Sequence, residues 1–524
     1  MNTRNYLLAT TAPMAALGYA SLAIVVDPDL LQDADSFDRR SPDSAHMFKY
    51  WDKIDAIMDG LEGMLLKSHD FLPEFRDEDP LDYAFRKQCT KMTNVYSDIV
   101  GGLSSKPFEQ AVQLIRDVKD ENGTVTNIII PDEIEKFQWD VDGSGNNITV
   151  FAAHTFHQGI NNAIDWIMVD HDKHDPDIRS VADMKARGMR PYWSHILARN
   201  VLDVQSKMID GKEVISYIKI LEPGEPDHIR EFVRTDIVTN GRRDTSVMWR
   251  LWRKKDTVGT TGKREYVRVD SGDVSIKEIP LVPFVTGRRE GRRWRFDPPM
   301  RAAAELQINL FKQESGLEHA STLTAYPMLA ANGISPPTGA DGKPNLKLAV
   351  GPSRVLWSKQ NNDGSYGSWA YVEPGSESLK FLQSRIVDTI QQLREVGRQP
   401  LTASSSNITV ITAAVAAGKA RSAVKAWAYS LKDALENALL MTAKWMGVDY
   451  NPTVHVFAEF DDWMEGEDLE ALDKARERGD ISHETYCEEL QRRGVLSSNF
   501  TIGRERKRLL NDLPGDGPDT EVDD

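Results

Sequence analysis

The feature that most constrains this chain is a pair of helical segments within residues 367–447, joined by a loop of small polar residues. Ser376 is a suitable N-cap for the first helix, and Gly397 and Pro400 end it, because Pro cannot continue a helix and Gly accepts the left-handed cap conformation. The pattern predicts a helix over 377–397, about 30 Å long at 1.5 Å per residue. Its apolar residues recur at the spacing of one helical face: Leu379, Leu382, Ile386, Ile390 and Leu393.

After the sequence TASSSN at 402–407, a second periodic run predicts a very long helix over 409–446. Its first half is mostly small residues around Gly418, which let backbones approach closely and allow a bend. No residue in this region has a pattern typical of catalysis, so the region indicates a mechanical element and not an active-site pocket. The large residues of the second half repeat at helical spacing: Trp427, Leu431, Leu435, Ala438, Met441 and Trp445.

Length and composition set broad limits on the class of protein. A chain of 524 residues predicts two to four domains, and 40% apolar with 27% charged residues is typical of a soluble globular protein. The net charge of −16 argues against a protein that coats nucleic acid, because such a protein would be basic. The two cysteines, Cys89 and Cys487, are too few for a disulfide framework or a cysteine-based zinc site, and they suit a reducing cytoplasm.

The N-terminal segment has two interpretations. Residues 6–26 are mostly apolar and follow Arg4, as in a signal peptide, but the start is weakly basic and Pro13 interrupts the run. No 18-residue span is purely apolar, so we expect no membrane helix. We therefore expect residues 1–45 to form an arm that packs on its own subunit or on a neighbouring one.

The rest of the chain predicts an α+β fold. Helical patterns cover 46–115, 151–169, 298–321 and 468–512. Strand patterns cover 125–150, the β-rich stretch 190–285, short runs at 354–358 and 369–373, and 454–460. Residues 513–524 are acidic, and we expect them to be disordered.

One cluster contains residue types that bind metals: His154, His157, Asp170, His171, His174 and Asp175. Two imidazoles three residues apart lie near one helix face, and the sequence HDKHD is rich in oxygen and nitrogen donors. The sequence has no HExxH or other demanding metal motif. We expect a helix end followed by a solvated loop, and no metal.

A second cluster is basic: Arg288, Arg289, Arg292, Arg293, Arg295 and Arg301. Basic residues beside an aromatic residue can bind phosphates, but in an acidic chain they can also contact acidic faces of other subunits. Both the nucleic-acid and the protein interpretation stay open. The GTTGKR sequence at 259–264 lacks the spacing of a phosphate loop, and no catalytic triad or paired-carboxylate motif stands out. We expect no catalytic residue and no cofactor.

The order of several segments resembles that of tailed-bacteriophage portal proteins, in a branch long labelled only as a domain of unknown function. The resemblance covers most of 46–512, and it departs at the long N-terminal arm and at HDKHDPD. No single motif is strong, but the order is specific. The segments are FLPEF at 71–75, TNVYSDIVGGLSSKPF at 93–108, IKEIPLVPFVTGRR at 276–289, FDPPMRAAAELQINLFKQESGLEHASTLTAYPMLAANGI at 296–334, YVEPGSESLKFLQSRIVDTIQQLREVGRQPL at 371–401, SAVKAWAYSLKDALENALLMTAKWMG at 422–447 and RERGDISHETYCEELQRRGVL at 476–496.

The resemblance implies a portal-like α+β fold with a mixed α/β wing, a two-helix stem, a small α/β clip inserted in the stem, a long channel helix and a helical crown. The implied parts are a wing at 46–297, stem helices at 298–321 and 377–397, a clip at 322–376, a tunnel loop at 398–408, the long helix with its return strand at 409–460, and a crown at 461–512. The residues of the tunnel loop implied to face DNA are Thr402, Ala403, Ser404, Ser405, Ser406 and Asn407.

The resemblance also implies function and partners. Portal subunits form a ring, usually of twelve, at one capsid vertex of the virion, after assembly in the host cytoplasm. The ring conducts double-stranded DNA during packaging and ejection, and it docks the terminase, the head-tail adaptor and the major capsid protein. Two alternatives stay open: a minor capsid or scaffold protein without a DNA channel, and a metal-dependent hydrolase that uses the histidine and aspartate cluster at 154–175.

Overall fold

The computed structural model of this chain describes most of the residues between 37 and 508. The described residues are 37–76, 78–119, 125–127, 129–171, 188–239, 242–258, 264–325, 328–334, 366–372, 376–397, 410–458, 466–492, 496, 500, 502–503, 505–506 and 508. The tunnel-loop residues 402–407, the acidic tail 513–524, His174, Asp175, the predicted strand at 354–358 and most of the predicted N-terminal arm lie outside them.

Side-chain caps fix the starts of several helices. Ser41 caps α1 by accepting a hydrogen bond from the Ser44 amide, and Asp79 caps α4 by accepting one from Leu81. In chain order the helices are α1 Pro42–Met58, α2 Gly60–Leu66, α3 Ser68–Phe71, α4 Pro80–Cys89, α5 Val95–Ser105, α6 Asp132–Phe137, α7 Ile148–Asn162, α8 Arg301–Ala325, α9 Ser376–Val396, α10 Val410–Met446, α11 Gly466–Glu477 and α12 His483–Arg492, with short 3-10 turns at Lys106–Phe108 and Ala198–Asn200.

The strands pair only in antiparallel fashion within the described residues. They are β1 Gln113–Leu114, β2 Asp117–Lys119, β3 Val125–Asn127, β4 Ile164–His171, β5 Pro191–Ile196, β6 Val201–Ile209, β7 Lys212–Glu222, β8 Glu225–Thr239, β9 Arg242–Val258, β10 Arg264–Asp273, β11 Leu281–Val285, β12 Arg288–Arg289, β13 Phe296–Asp297, β14 Met328–Asn332, β15 Ser368–Val372 and β16 Val454–His455. Helices and antiparallel sheets alternate irregularly along the chain, which makes the fold α+β as predicted.

A three-stranded sheet in the order β11-β4-β5 forms the centre of the molecule. The first six residues of β4 are all buried, because α7 and α10 both pack against this sheet. We call β4, β5 and β11 with α7 and α10 the sheet core. Beside it, β6 to β10 form a five-stranded meander, so the predicted β-rich stretch 190–285 is confirmed as β5 to β11.

Two sequence predictions were wrong in this region. The helix predicted over 151–169 ends at Asn162, and β4 follows. Ala163 takes a left-handed conformation with φ 71°, which stops the helix, and a continuous apolar run does not reveal whether it is helix or strand. The strands predicted over 125–150 are limited to β3, because Asp132–Phe137 and the start of α7 are helical.

Elsewhere the predicted elements are shifted in extent. The helix predicted over 298–321 begins at Arg301, after two prolines, and runs on to Ala325. The helices predicted over 377–397 and 409–446 are confirmed within one residue as α9 and α10. The strand predicted over 454–460 pairs only at Val454–His455, with β1. The helix predicted over 468–512 is divided between α11 and α12, and residues beyond 492 are described only in part.

Candidate functional site: the helical hairpin and its surroundings

Helices α8 and α9 form an antiparallel hairpin. The Thr389 hydroxyl on α9 donates to the Gln313 side-chain oxygen on α8 over 2.9 Å, and β14, which follows α8, pairs with β15, which precedes α9. At 1.5 Å per residue, the 25 residues of α8 and the 21 residues of α9 make rods of about 37 Å and about 31 Å. The hydrophobic core includes α8 only as far as Phe311 and α9 only from Ile386, so the far end of the hairpin extends beyond the core.

The base of the hairpin is fixed to α5. Gln307 of α8 is fully buried, and its side-chain oxygen accepts a hydrogen bond from the Tyr96 amide over 3.0 Å. At the end of α9, a Cβ added to Gly397 would lie 2.7 Å from the Ile99 Cδ1 atom, so the close approach requires glycine. Arg394 forms an ion pair with Asp98 at 3.1 Å. These contacts hold both helices at one level on the body of the protein.

The far part of α8 is flanked by α4. The Thr90 and Ser315 hydroxyls lie 2.8 Å apart, and Lys91 pairs with Glu318 at 3.0 Å. Arg86 of α4 is only 1% exposed, and its guanidinium makes two hydrogen bonds of 2.8 Å to Glu78. Arg86 thereby ties the loop before α4 to the helix, and sequence reasoning missed this pair, because nothing in the local pattern marks a buried arginine.

The outer surface of α9 is more apolar than a surface helix requires. Phe381 is 63% exposed and Val387 is 62% exposed. The six steps from Phe381 to Val387, at about 100° each, amount to a net rotation of about 240°, so the two side chains lie about 120° apart around the helix. The predicted apolar face that contains Ile386, Ile390 and Leu393 packs inward between these two flanks. Two separate flanks of α9 thus expose apolar surface.

The long helix α10 is anchored at its C-terminal half. Leu431, Leu435 and Ala438 are fully buried in the core, as the sequence predicted. The Ser430 hydroxyl donates to the Val285 carbonyl of β11 over 2.6 Å, and the Trp193 indole donates to Thr442 over 2.9 Å. This half of α10 is therefore a fixed wall of the sheet core.

The predicted arginine cluster divides into two groups. Arg289 forms a bidentate ion pair with Glu213 at 2.7 Å and stacks on Trp294, and Arg295 pairs with Asp43 at 2.6 Å. These two arginines fix the β12–β13 hairpin to the body. The second group is exposed to solvent: Arg288, Arg292, Arg293 and Arg301, of which Arg301 pairs with Asp297 at 3.6 Å.

The described members of the predicted histidine and aspartate cluster do not form one site. His195 contacts the buried carboxyl of Asp165 at 2.7 Å, and the ring of His154 packs edge-on against His195. His157 instead contacts the Ser104 hydroxyl at 3.1 Å. Within the part of the chain that the structure describes, no group of three such residues is arranged to hold a metal ion.

Burial affects these titratable groups in opposite directions. It raises the pKa of the Asp165 carboxyl, although the neighbouring His195 counteracts the shift. It lowers the pKa values of His154 and His157, and each is lowered further by a neighbouring histidine. The Asp165–His195 pair joins β4 to β5, and sequence reasoning missed it because Asp165 was assigned to a helix.

His171 lies elsewhere, stacked on Trp445 in the wall of a cavity of about 520 Å³. The charged side chains in that wall are Glu133, Lys136, Asp140 and Arg190.

Among the described residues, no helix is long and apolar enough to cross a membrane.

One family model matches part of the sequence of this chain. A family model described as "Domain of unknown function (DUF4055)" matches residues 299–446, which include both hairpin helices and α10. No curated protein matches the chain.

Solved structures match over most of the length at low similarity. One matching chain comes from the structure "Virion of native gene transfer agent (GTA) particle". The match covers 88% of this chain and 99% of that chain, with 9% identity and a TM-score of 0.36. Two further matching chains come from "Neck of native GTA particle computed with C12 symmetry" and "Neck of empty GTA particle computed with C6 symmetry". Each match covers 80% of this chain and 90% of that chain, with 12% identity and a TM-score of 0.35.

Proposed function

We propose that this chain is the portal protein of a tailed bacteriophage or phage-like particle. In this proposal it forms a homo-oligomeric ring, usually of twelve subunits, at one vertex of the capsid. The ring conducts double-stranded DNA during packaging and ejection, and it docks the terminase, the head-tail adaptor and the major capsid protein.

One observation carries the proposal: α9 exposes apolar side chains on two flanks about 120° apart, on a hairpin that projects from the body. Exposed apolar surface on a projecting element indicates a protein contact. An isologous dimer would cover one patch, whereas a heterologous ring places a different neighbour on each side. Phe381 and Val387 fit the second arrangement.

The order of the elements supports the same function. Helix α8, the insertion between residues 326 and 375, helix α9 and the long helix α10 follow one another as stem, clip, stem and channel helix would. The charge also suits a conduit. Twelve copies at −16 have a formal net charge of 12 × −16 = −192, and a mostly acidic tunnel would not hold phosphates tightly.

We further propose that the chain has no enzymatic activity and that a separate terminase motor supplies the energy for packaging. In this proposal, residues 402–407 form the tunnel loop that faces DNA, and the exposed Arg288, Arg292 and Arg293 contact DNA or a neighbouring subunit. Thr402 to Asn407 are small and uncharged, so they add little bulk and no fixed charge beside the DNA.

Negative-stain imaging of the purified chain tests the proposal. We expect rings with a central channel and an interface above about 2,000 Å² between neighbouring subunits, the range of obligate contacts. A compact oligomer without a channel would favour the minor capsid or scaffold alternative. A chain that stays monomeric at all concentrations and salts, and in virions, would contradict the proposal.

The tunnel loop has its own test. Ser405→Glu should leave rings intact but reduce DNA packaging or retention, because one negative charge per subunit would be repeated around the channel. Ser405→Thr is the matched neutral control. Normal packaging by the Ser405→Glu variant would contradict the tunnel assignment without contradicting the portal proposal.

A further inference from the structure

A second exposed apolar patch lies on α4 and the loop before it. Leu81 is 79% exposed, Phe75 is 50% exposed and Phe85 is 42% exposed. Leu81 and Phe85 are four residues apart and therefore share one face of the helix. Phe75, in the loop before the helix, is attached to α4 through Arg86, whose guanidinium stacks on its ring at 4.0 Å. We call these three residues the α4 patch.

The α4 patch and α9 lie on different sides of α8. Three residues of α8 contact the segment 90–93 that directly follows α4, namely Glu314, Ser315 and Glu318, whereas Gln313 contacts α9. At about 100° per residue, Gln313 points about 150° away from the centre of that group. A subunit with α4 on one side of the stem and α9 on the other presents two different surfaces to its two neighbours.

The two apolar surfaces also lie at the same level along α8. Thr389 is opposite Gln313, so Phe381, eight residues earlier in an antiparallel pair, lies level with about residue 321 of α8. On the other side, Lys91, which lies two residues after the end of α4, pairs with Glu318 at 3.0 Å. Rotation about a ring axis parallel to α8 preserves this level, so it would bring the α4 patch of one copy to Phe381 of the next.

Charges beside the two surfaces are complementary. Asp82 follows Leu81 and is exposed, and Arg385 is exposed one helical turn after Phe381 on the same face of α9. We propose that the α4 patch of one subunit receives Phe381 of α9 from the next subunit, with Asp82 facing Arg385. This inference rests on the proposed ring, and it names the second copy of this chain as the partner.

A cross-linking experiment tests the direction of this contact. In a chain with Cys89→Ala and Cys487→Ala, we would introduce Leu81→Cys and Phe381→Cys together and add a short bis-maleimide. A heterologous contact joins each copy to the next, so we expect a ladder of covalent oligomers that ends at the ring number. Either single-cysteine variant should give no ladder. Dimers from a single-cysteine variant, or rings in images without a ladder, would overturn the inference.

Aspartate substitutions test the same contact without cross-linking. Leu81→Asp and Phe381→Asp should each raise the concentration for half-assembly at least about 100-fold, because a charged carboxylate would be buried against an apolar surface at every interface. The control is Leu66→Asp, at a site that is 87% exposed on α2, which should assemble as the wild type does. All three sites are exposed, so the thermal midpoint of the monomer should stay within about 2 °C of the wild type.

The outcomes separate this contact from the proposed function. Rings that form normally in both Leu81→Asp and Phe381→Asp would overturn the α4–α9 contact while leaving the portal proposal intact. A wild-type chain that stays monomeric under every condition would overturn both.

Discussion

The sheet core and the helical hairpin differ in how much of their large apolar side chains they bury within one chain. In the sheet core, Trp166, Trp193 and Phe284 are at most 2% exposed, and α7 and α10 both pack against the sheet. In the hairpin, Phe381 and Val387 are more than 60% exposed. The sheet core therefore carries its stability within one chain, whereas the hairpin leaves large apolar side chains uncovered within one chain.

The largest effect is expected in the sheet core. Trp193→Ala should lower the free energy of unfolding by about 3–5 kcal/mol, because it leaves a cavity between Phe137 and Phe151 and removes the hydrogen bond to Thr442. Urea denaturation of the monomer measures this loss in the free energy of unfolding. The matched control is Trp139→Ala, at a site that is 67% exposed, where we expect less than about 0.5 kcal/mol. Equal losses in the two variants would remove the distinction between core and surface.

The next effect concerns the ion pair beside the hairpin. Glu78→Gln should lower the free energy of unfolding by about 3 kcal/mol, since it leaves the buried Arg86 guanidinium without a counter-charge. Hydrogen exchange of residues 78–89 should increase before that of the sheet core. Unchanged exchange there would show that apolar packing alone holds α4.

The same pair predicts a dependence on pH. Hydrogen bonds from Arg86 lower the pKa of the Glu78 carboxyl below its ordinary value of 4.5. Because the folded-state pKa is the lower one, the stabilisation is fully present above pH 4.5 and is lost as the pH falls through the folded-state pKa. The wild type should lose more stability in this acid range than Glu78→Gln. Parallel pH profiles for the two proteins would contradict the assignment.

The smallest effects come from one substitution made in both regions. A Cβ added to Gly159 of α7 would lie 2.2 Å from the Phe284 ring, so Gly159→Ala should destabilise the sheet core by about 1–3 kcal/mol. Gly316 of α8 has open space around it, so Gly316→Ala should stabilise the hairpin by about 0.5–1 kcal/mol. Urea denaturation of both monomers gives the two signs. The same sign in both variants would contradict the difference in packing.

The sequence predicted the hairpin helices better than the sheet core. Helices α9 and α10 were predicted to within one residue, because apolar residues repeated every three or four positions and the glycine and proline stops are local signals. Strand β4 was assigned to a helix, because a residue buried on both faces of a sheet has no polar alternation to distinguish it. The contacts around Arg86 and Asp165 join residues whose pairing has no local sequence signature, so they could not be predicted.

By itself, the sequence determined the periodic elements and their order: α8, the insertion after it, α9 and the long α10, together with an acidic chain that has few cysteines. It also placed arginines at 288–295, but only the tertiary structure decided that Arg289 and Arg295 are paired within the chain while Arg288, Arg292 and Arg293 stay exposed. The tertiary structure likewise decided that Phe381 points outward and that α4 stands at the same level across α8. The physical reason is that periodicity is a local property of the chain, whereas burial depends on which distant segments cover each side chain.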